Sequence, residues 1–298
     1  MSKPKVLVLG ATGMLGHQVF QYLNNGSEYE VVGTCREPDT RIQKRMYGRT
    51  HAVLDVLLGH EDQLRDLFTE HGPFEYIINC IGAIKPTINE GNPASVADAI
   101  RLNSIFPHEL AVMAGEFGGK IFHPSTDCVF SGDKRMPYKE SDLPDATDVY
   151  GRSKVLGECP QAMNIRTSIV GPEMNTQRSL LEWYLDQDGE VNGFVNHHWN
   201  GMTTYQWAKV VYTIMKMGWW KPGIQHMPSL PVSKENLLWA FKKEFARVGR
   251  VCADIKPVKA PQEKWMTLKT EYPVYMMQLT VPHIIDQVRE LVQKRYTS

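Results

Sequence analysis

The chain has 298 residues, 42% of them hydrophobic and 22% charged, and 33 basic residues balance 33 acidic ones. That composition fits a globular protein with a sizeable core and argues against a nucleic-acid binder or a membrane protein. The five cysteines (Cys35, Cys80, Cys128, Cys159, Cys252) are odd in number and lack CxxC spacing, and the run after Met1 to Lys5 is too short for a signal peptide, so a reduced, soluble, cytoplasmic protein is expected.

Residues Lys5 to Leu9 form a short apolar strand ending in glycine, followed by a helical stretch from Met14 to Leu23 and a second strand from Tyr29 to Thr34. The alternation continues with a strand at His51 to Asp55, a helix at Glu61 to His71 and a strand at Tyr76 to Cys80. One long helix through Val96 to Phe117 and a strand at Lys120 to Ser125 come next. Repeated βα units predict an α/β fold, a Rossmann-type doubly wound parallel sheet with helices on both faces. A helix around Tyr150 and a strand at Met163 to Ile169 extend it. Beyond Gly171 the pattern loosens, with helices at Thr204 to Met217 and Lys234 to Arg247. The expected division is a dinucleotide-binding domain over residues 1–170 and a smaller C-terminal α/β substrate lobe over 171–298. Part of the chain around 200–225 should return to the sheet, and the lobe should close over the carboxyl edge where open α/β sheets bind ligands.

Gly10-Ala11-Thr12-Gly13-Met14-Leu15-Gly16 follows the first strand and opens the first helix, the context that a phosphate-binding turn requires. Gly10 permits the tight turn, Gly13 lets backbone approach a pyrophosphate and Gly16 allows close helix to strand packing. The stretch Thr12, Gly13, Met14 and Leu15 then brings the helix N-terminus to the phosphates. The second strand ends in Gly33-Thr34-Cys35-Arg36, with no acidic residue for a ribose hydroxyl. Arg36 suits a 2′-phosphate, which favours NADP(H) while leaving NAD(H) open. Arg41, Lys44 and Arg45 are further basic candidates, and Asp55 is placed to accept from an adenine amino group. In Asp148-Val149-Tyr150-Gly151-Arg152-Ser153-Lys154 a phenol and an ammonium stand four residues apart, on one helix face. An ammonium beside a phenol favours its anion and brings it toward use as a general acid.

The glycine turn, Asn79-Cys80-Ile81-Gly82, Asn103-Ser104-Ile105-Phe106-Pro107, Ser125-Thr126-Asp127-Cys128-Val129-Phe130-Ser131-Gly132, Tyr138-Lys139-Glu140-Ser141-Asp142, Tyr150 to Lys154 and Arg166-Thr167-Ser168 occur in that order. This series resembles the extended short-chain dehydrogenase/reductase superfamily and, within it, the dTDP-4-dehydrorhamnose reductases. The likeness runs from residue 5 to about 171 and thins afterwards, where Asn200-Gly201-Met202-Thr203-Thr204 looks like a substrate loop of its own. The resemblance implies that Thr126 hydrogen-bonds a substrate carbonyl and Tyr150 protonates its oxygen. Lys154 would lower the phenol's pKa and hold the nicotinamide ribose, with Asn103 supporting the lysine. Cys80, Ile81 and Gly82 would line the cofactor, with Asn103 beside it, while Asp127, Cys128, Ile169 and Asn200 would face the sugar; Lys85, just past the fourth strand, is placed as a further substrate contact. Two positions depart from the family pattern: Cys128 stands where a Tyr is common, and Ile169 where an aromatic often follows RTS. Both bear on the identity of the sugar rather than on the reaction class.

No histidine set reads as a metal site. Adjacent His197 and His198 rarely share a ligand face, and His123 reads as a satisfied core residue. The seven tryptophans all follow residue 171 and are expected mostly in the core of the small lobe. The resemblance thus implies an NADPH-dependent reductase of the 4-keto group of a nucleotide-linked deoxysugar, acting in surface polysaccharide biosynthesis, with a homodimer possible. Alternatives are an NAD-retaining epimerase or dehydratase of the same superfamily, or a non-catalytic NADP-binding regulatory subunit like the β-subunit of methionine adenosyltransferase. Arg36 argues against the first, as does the Asp127-Cys128 pair where a dehydratase would carry Asp-Glu.

Overall fold

The computed structural model describes residues 2–36, 51–57, 61–174, 178–272 and 281–296. Arg41, Lys44 and Arg45 lie outside these residues. Strands β1 (Lys5–Leu9), β2 (Glu30–Cys35), β3 (His51–Val53), β4 (Tyr76–Asn79), β5 (Lys120–Ser125) and β6 (Met163–Arg166) join a later strand, Gly223–His226, in one seven-stranded sheet. With the last strand counted as β11, the order is β11-β6-β5-β4-β1-β2-β3. The pairs β1–β2, β1–β4, β2–β3 and β4–β5 are parallel. Val6, Leu7, Val8 and Leu9 are all buried, as a central parallel strand covered on both faces requires. Phe106, Leu110, Leu64 and Phe68 bring two helices onto Leu7, Leu9, Ile77 and Ile121 in one apolar cluster.

Contacts divide the chain into two compact units. The first holds residues 1–125, 147–165 and 211–224; the second holds 126–146, 166–210 and 225–298. The division therefore differs from a single cut at 170. The segment Thr126–Ala146 belongs with the second unit, because its side chains pack with later residues such as His226 and Leu268. The return to the first unit comprises Val211–Ile224.

In the second unit the sheets are small. Strand β7 (Ile169–Val170) pairs with β10 (Met202–Thr203), β8 (Glu190–Phe194) with β13 (Asp254–Val258), and β9 (His197–Trp199) lies between β12 (Val232–Ser233) and β14 (Lys264–Met266). The expected strand through Ile169 is thus broken in two, β6 and β7 serving different sheets. Leu181, Tyr184, Trp199, Leu237, Phe241 and Val288 are among the residues of this unit's core. Of the tryptophans only Trp199 and Trp207 are fully buried, while Trp183 and Trp239 are exposed, so the expectation that most form core is corrected. Both exposed rings sit on helices whose opposite faces carry the Leu and Phe that supply the burial.

The expected long helix at 96–117 is also interrupted. Helix Pro93–Ile100 passes through a π-helical turn, Arg101–Ile105, into helix Phe106–Phe117. Pro107 has no N–H to give, and the preceding Phe106 N–H reaches back five residues to the Arg101 carbonyl. This wider turn carries Asn103. The helix bearing Tyr150, Val149–Leu156, ends at Gly157, where an added Cβ would come within 1.8 Å of the Asn103 carbonyl oxygen. Gly157→Ala is expected to lower stability by about 1–3 kcal/mol, the usual result of forced overpacking. Urea unfolding of the variant against the parent measures it, and an unchanged midpoint would contradict the close approach.

Candidate functional site

The glycine turn is built as its spacing predicts. Gly10 has φ +69° and donates its N–H to Thr34 Oγ1 at 3.0 Å, while Ala11 N–H bonds the Thr34 carbonyl at 2.8 Å. An added Cβ at Gly16 would lie 2.0 Å from the Gly10 oxygen, so helix and turn are in direct contact there. At Gly13, which is exposed, the same atom would meet only Gly10 O at an ordinary 3.4 Å. Internal packing thus explains Gly16 but not Gly13, whose open side leaves room for a ligand against the backbone. The helix Met14–Asn25 has no side-chain cap and no acidic residue in its first turn. Its first N–H groups and positive dipole end therefore fit a pyrophosphate. Thr12 and Met14 are half-buried beside that end and Leu15 is buried.

Arg36 is exposed immediately after β2. Asp55 is half-buried; its Oδ1 accepts from Leu57 N–H at 2.9 Å, so part of the carboxylate holds its own turn rather than facing outward. At the end of β4, Asn79 Oδ1 accepts from Ile81 N–H, and burial pushes the Cys80 thiol up despite the nearby Lys154 cation. Gly82 is exposed, and a Cβ there would approach Asn103 Oδ1 to 3.0 Å.

Asn103 is fully buried and its amide is already engaged by the protein. Oδ1 accepts from Ala83 N–H at 2.9 Å, and Nδ2 donates to the Ala83 carbonyl at 3.1 Å and to Ser153 Oγ at 3.0 Å. It thereby fastens the loop after β4 to the helix of Tyr150. Ser153, inside the YxxxK stretch, carries this link on by donating to the Tyr150 carbonyl. Asp148 caps the helix by accepting from Gly151 N–H at 2.7 Å and pairs with Lys85 at 2.6 Å. Burial alone would raise the Asp148 carboxyl, but Gly151 and Lys85 outweigh it and hold it below the usual range. Lys85, expected to touch substrate, makes this ion pair with its side chain still largely exposed.

Tyr150 is half-buried in the first turn of the helix and Lys154 stands one turn later, 6% exposed. Lys154 Nζ donates to the Pro124 carbonyl at 2.7 Å and lies 3.4 Å from His123 Nε2. Burial pushes this amine down to about 8, against the pull of Glu158 and Cys80. His123 is the satisfied core residue expected, with Asn79 and Lys154 as the partners of its two ring nitrogens.

The residues expected at the sugar, Lys85 apart, fall in the second unit. Thr126 follows β5 directly, accepts from Cys128 N–H at 3.1 Å and donates to Asp127 Oδ1 at 3.2 Å. Burial pushes the Asp127 carboxyl up, opposed chiefly by Lys234. Lys234 had no motif to mark it. Its Nζ sits 4.9 Å over the Trp199 ring, and burial pushes it down against the attraction of Asp127 and Cys128. Cys128 and Ile169 are half-buried. Asn200, expected at the sugar, is buried and clamps Leu268 at two points: Nδ2 donates to the Leu268 carbonyl at 2.8 Å and Oδ1 accepts from Leu268 N–H at 2.9 Å. Of the paired histidines, His197 stacks on Phe194, and His198 packs on Trp265 near Glu263. Among the described residues no group of three His, Cys, Asp or Glu side chains is placed to hold a metal ion, and no helix is long and apolar enough to cross a membrane.

Sheet order and glycine turn define a Rossmann-type α/β protein, the fold shared by the structures it resembles. The chain belongs to the family described as "RmlD substrate binding domain", whose model matches residues 4–188. It is similar to the dTDP-4-dehydrorhamnose reductase of Bacillus anthracis solved in complex with NADP, at TM-score 0.77 and 19% identity over 98% of this chain and 99% of that one. The dTDP-glucose 4,6-dehydratase of the same organism, solved with NAD, gives 0.74 at 12% identity over 97% and 96%. These likenesses establish the fold. Among curated proteins, methionine adenosyltransferase 2 subunit beta of Danio rerio is 32% identical over 212 residues, 67% of this chain and 59% of the relative.

Asn200→Ala leaves both backbone groups of buried Leu268 without their Asn200 partner and is expected to cost about 2–6 kcal/mol, at roughly 1–3 kcal/mol for each orphaned group. Thermal unfolding would register the loss, whereas dinucleotide affinity measured by titration below the transition should stay unchanged.

Proposed function

We propose that this protein is an NADPH-dependent reductase acting on the 4-keto group of a nucleotide-linked deoxysugar, in surface polysaccharide sugar biosynthesis. The observation that carries the reading is Tyr150 standing one turn before a buried lysine, on a helix locked to the loop after β4, in the same unit as a glycine turn with an open Gly13. The open side of Gly13 and the uncapped helix N-terminus would hold the cofactor's pyrophosphate, and Arg36 its 2′-phosphate. When bound, NADPH supplies the hydride that reduces the carbonyl carbon. Tyr150 gives its phenolic proton to the carbonyl oxygen, and Lys154 orients the ribose and governs the charge of the phenol. Thr126 is the candidate hydroxyl donor to the same oxygen; to serve, it gives up the bond to Asp127. Asp127, Cys128 and Ile169 would contact the sugar.

A second reading is favoured by the curated relatives: an NADP-binding regulatory subunit of a methionine adenosyltransferase. This chain spans 59% of the length of the first of them. Retention of Thr126, Tyr150 and Lys154 supports an enzyme instead. The two part on one assay. Purified protein with NADPH and a panel of 4-keto nucleotide sugars should lose nicotinamide absorbance. No loss across the panel, together with co-purification with a methionine adenosyltransferase catalytic subunit, would favour the regulatory reading.

Tyr150→Phe should cut NADPH oxidation by at least about 100-fold, the lower range for a lost general acid, with NADPH affinity unaltered. Turnover at the parent rate would remove the phenol from the reaction. Arg36→Ala should weaken NADPH about tenfold or more, the worth of a charge-assisted contact, and leave NADH nearly unaffected. Isothermal titration with both dinucleotides decides it, and equal losses would dismiss the 2′-phosphate contact.

A further inference from the structure

His123 lies on β5 at 1% exposure, between Asn79 and Lys154. Its Nδ1 is 3.3 Å from Asn79 Nδ2 and its Nε2 is 3.4 Å from Lys154 Nζ. The orientation of Asn79 settles the proton inventory. Because Asn79 Oδ1 accepts from the backbone N–H of Ile81, the edge turned toward the imidazole is the NH2 donor. His123 Nδ1 must therefore accept, and the proton of the neutral ring resides on Nε2. Burial, then the Lys154 cation and His108, hold the ring well below its ordinary value, so it is neutral.

An Nε2–H pointing at Nζ has no lone pair to offer an ammonium. In the charged form, Lys154 is left with the Pro124 carbonyl as its acceptor among the described contacts. In the neutral form, Nζ accepts from His123 Nε2–H while still donating to Pro124. The surroundings thus meet two of the three hydrogen-bonding sites of the amine but one of the three donors of the ammonium. Opposing this are Glu158, which Ser125 holds by a 2.6 Å bond, and Cys80; Tyr150 lies one turn away on the lysine's own helix.

We propose that Asn79 and His123 are a positioning pair that makes Lys154 a proton-exchanging amine rather than a permanent cation. Its use rests on the reductase reading. The carbonyl oxygen takes the Tyr150 proton, the phenolate regains one from the Lys154 ammonium, and the amine so formed, held by His123 Nε2–H, is reprotonated from water.

The test needs neither substrate nor cofactor, so it stands or falls separately from the reductase assay. The whole chain labelled with 15N-histidine, with His123→Gln to assign the resonances, is expected to show the His123 proton on Nε2. A proton on Nδ1 overturns the proposal whether or not any variant folds. With 13C-labelled lysine, assigned by Lys154→Arg, the Lys154 amine should titrate near 8. In Asn79→Asp the carboxylate accepts Nδ1–H, so the tautomer reverses and Nε2 turns its lone pair to Nζ. The Lys154 midpoint should then rise by about one unit, the scale of a close favourable partner. In the double variant Asn79→Asp, His123→Phe most of that rise should vanish, because it passes through the ring. An equal rise in single and double variants, or none in the single, refutes the pair.

Discussion

The side-chain amide of Asn103 reaches the loop after β4 with both its ends and the helix of Tyr150 with its remaining N–H. Three segments distant in sequence are thereby held in one arrangement by a residue with no water contact. Its position depends on the π-helical turn, which in turn accommodates Pro107. Gly82 and Gly157 are small because the same asparagine is there: a Cβ at either would crowd its side-chain or carbonyl oxygen. A buried, fully satisfied network of this kind tolerates few substitutions, since removing one member leaves others unpaired in a low-dielectric interior.

Charge in this protein is unusually desolvated near its motifs. Lys154 is nearly hidden from water, and so are His123 and Asp127. Burial pushes each toward its neutral form; Glu158 opposes it at the lysine and Lys234 at Asp127, whereas at His123 the Lys154 cation and His108 add to it. With its amine pushed down to about 8, Lys154 exchanges protons closer to neutral pH than a solvated lysine does. That property, more than the presence of a Tyr and a Lys, distinguishes the Val149–Leu156 helix from a solvated helix bearing the same two residues.

The motifs of the second unit serve largely as scaffold. Tyr138 stacks on Phe130 at 4.2 Å and its hydroxyl accepts from Gly132 and Lys134 N–H groups. Glu140 accepts from His226, Thr270 and Glu271, tying together segments far apart in the chain. Arg166 lies buried over Phe130. Much of the motif series thus maintains the second unit, while Asp127 and Lys234 are its desolvated charged side chains.

The amino-acid sequence alone determined the parallel sheet, because continuous apolar runs bounded by glycine can be buried only as central strands between helices. It also determined the glycine turn, whose chemistry is local backbone geometry, and the Tyr150 and Lys154 pair, whose spacing is the helical repeat. Tertiary structure decided what lay beyond local periodicity. Residues 126–146 joined the second unit through partners more than eighty residues away. Asn200 and Lys85, exposed to expectation only as polar residues in loops, were claimed by Leu268 and Asp148. His123 was drawn against Lys154 from another element. A polar side chain's role depends on which distant group takes its hydrogen bonds, and that partner is chosen by packing, not by sequence spacing.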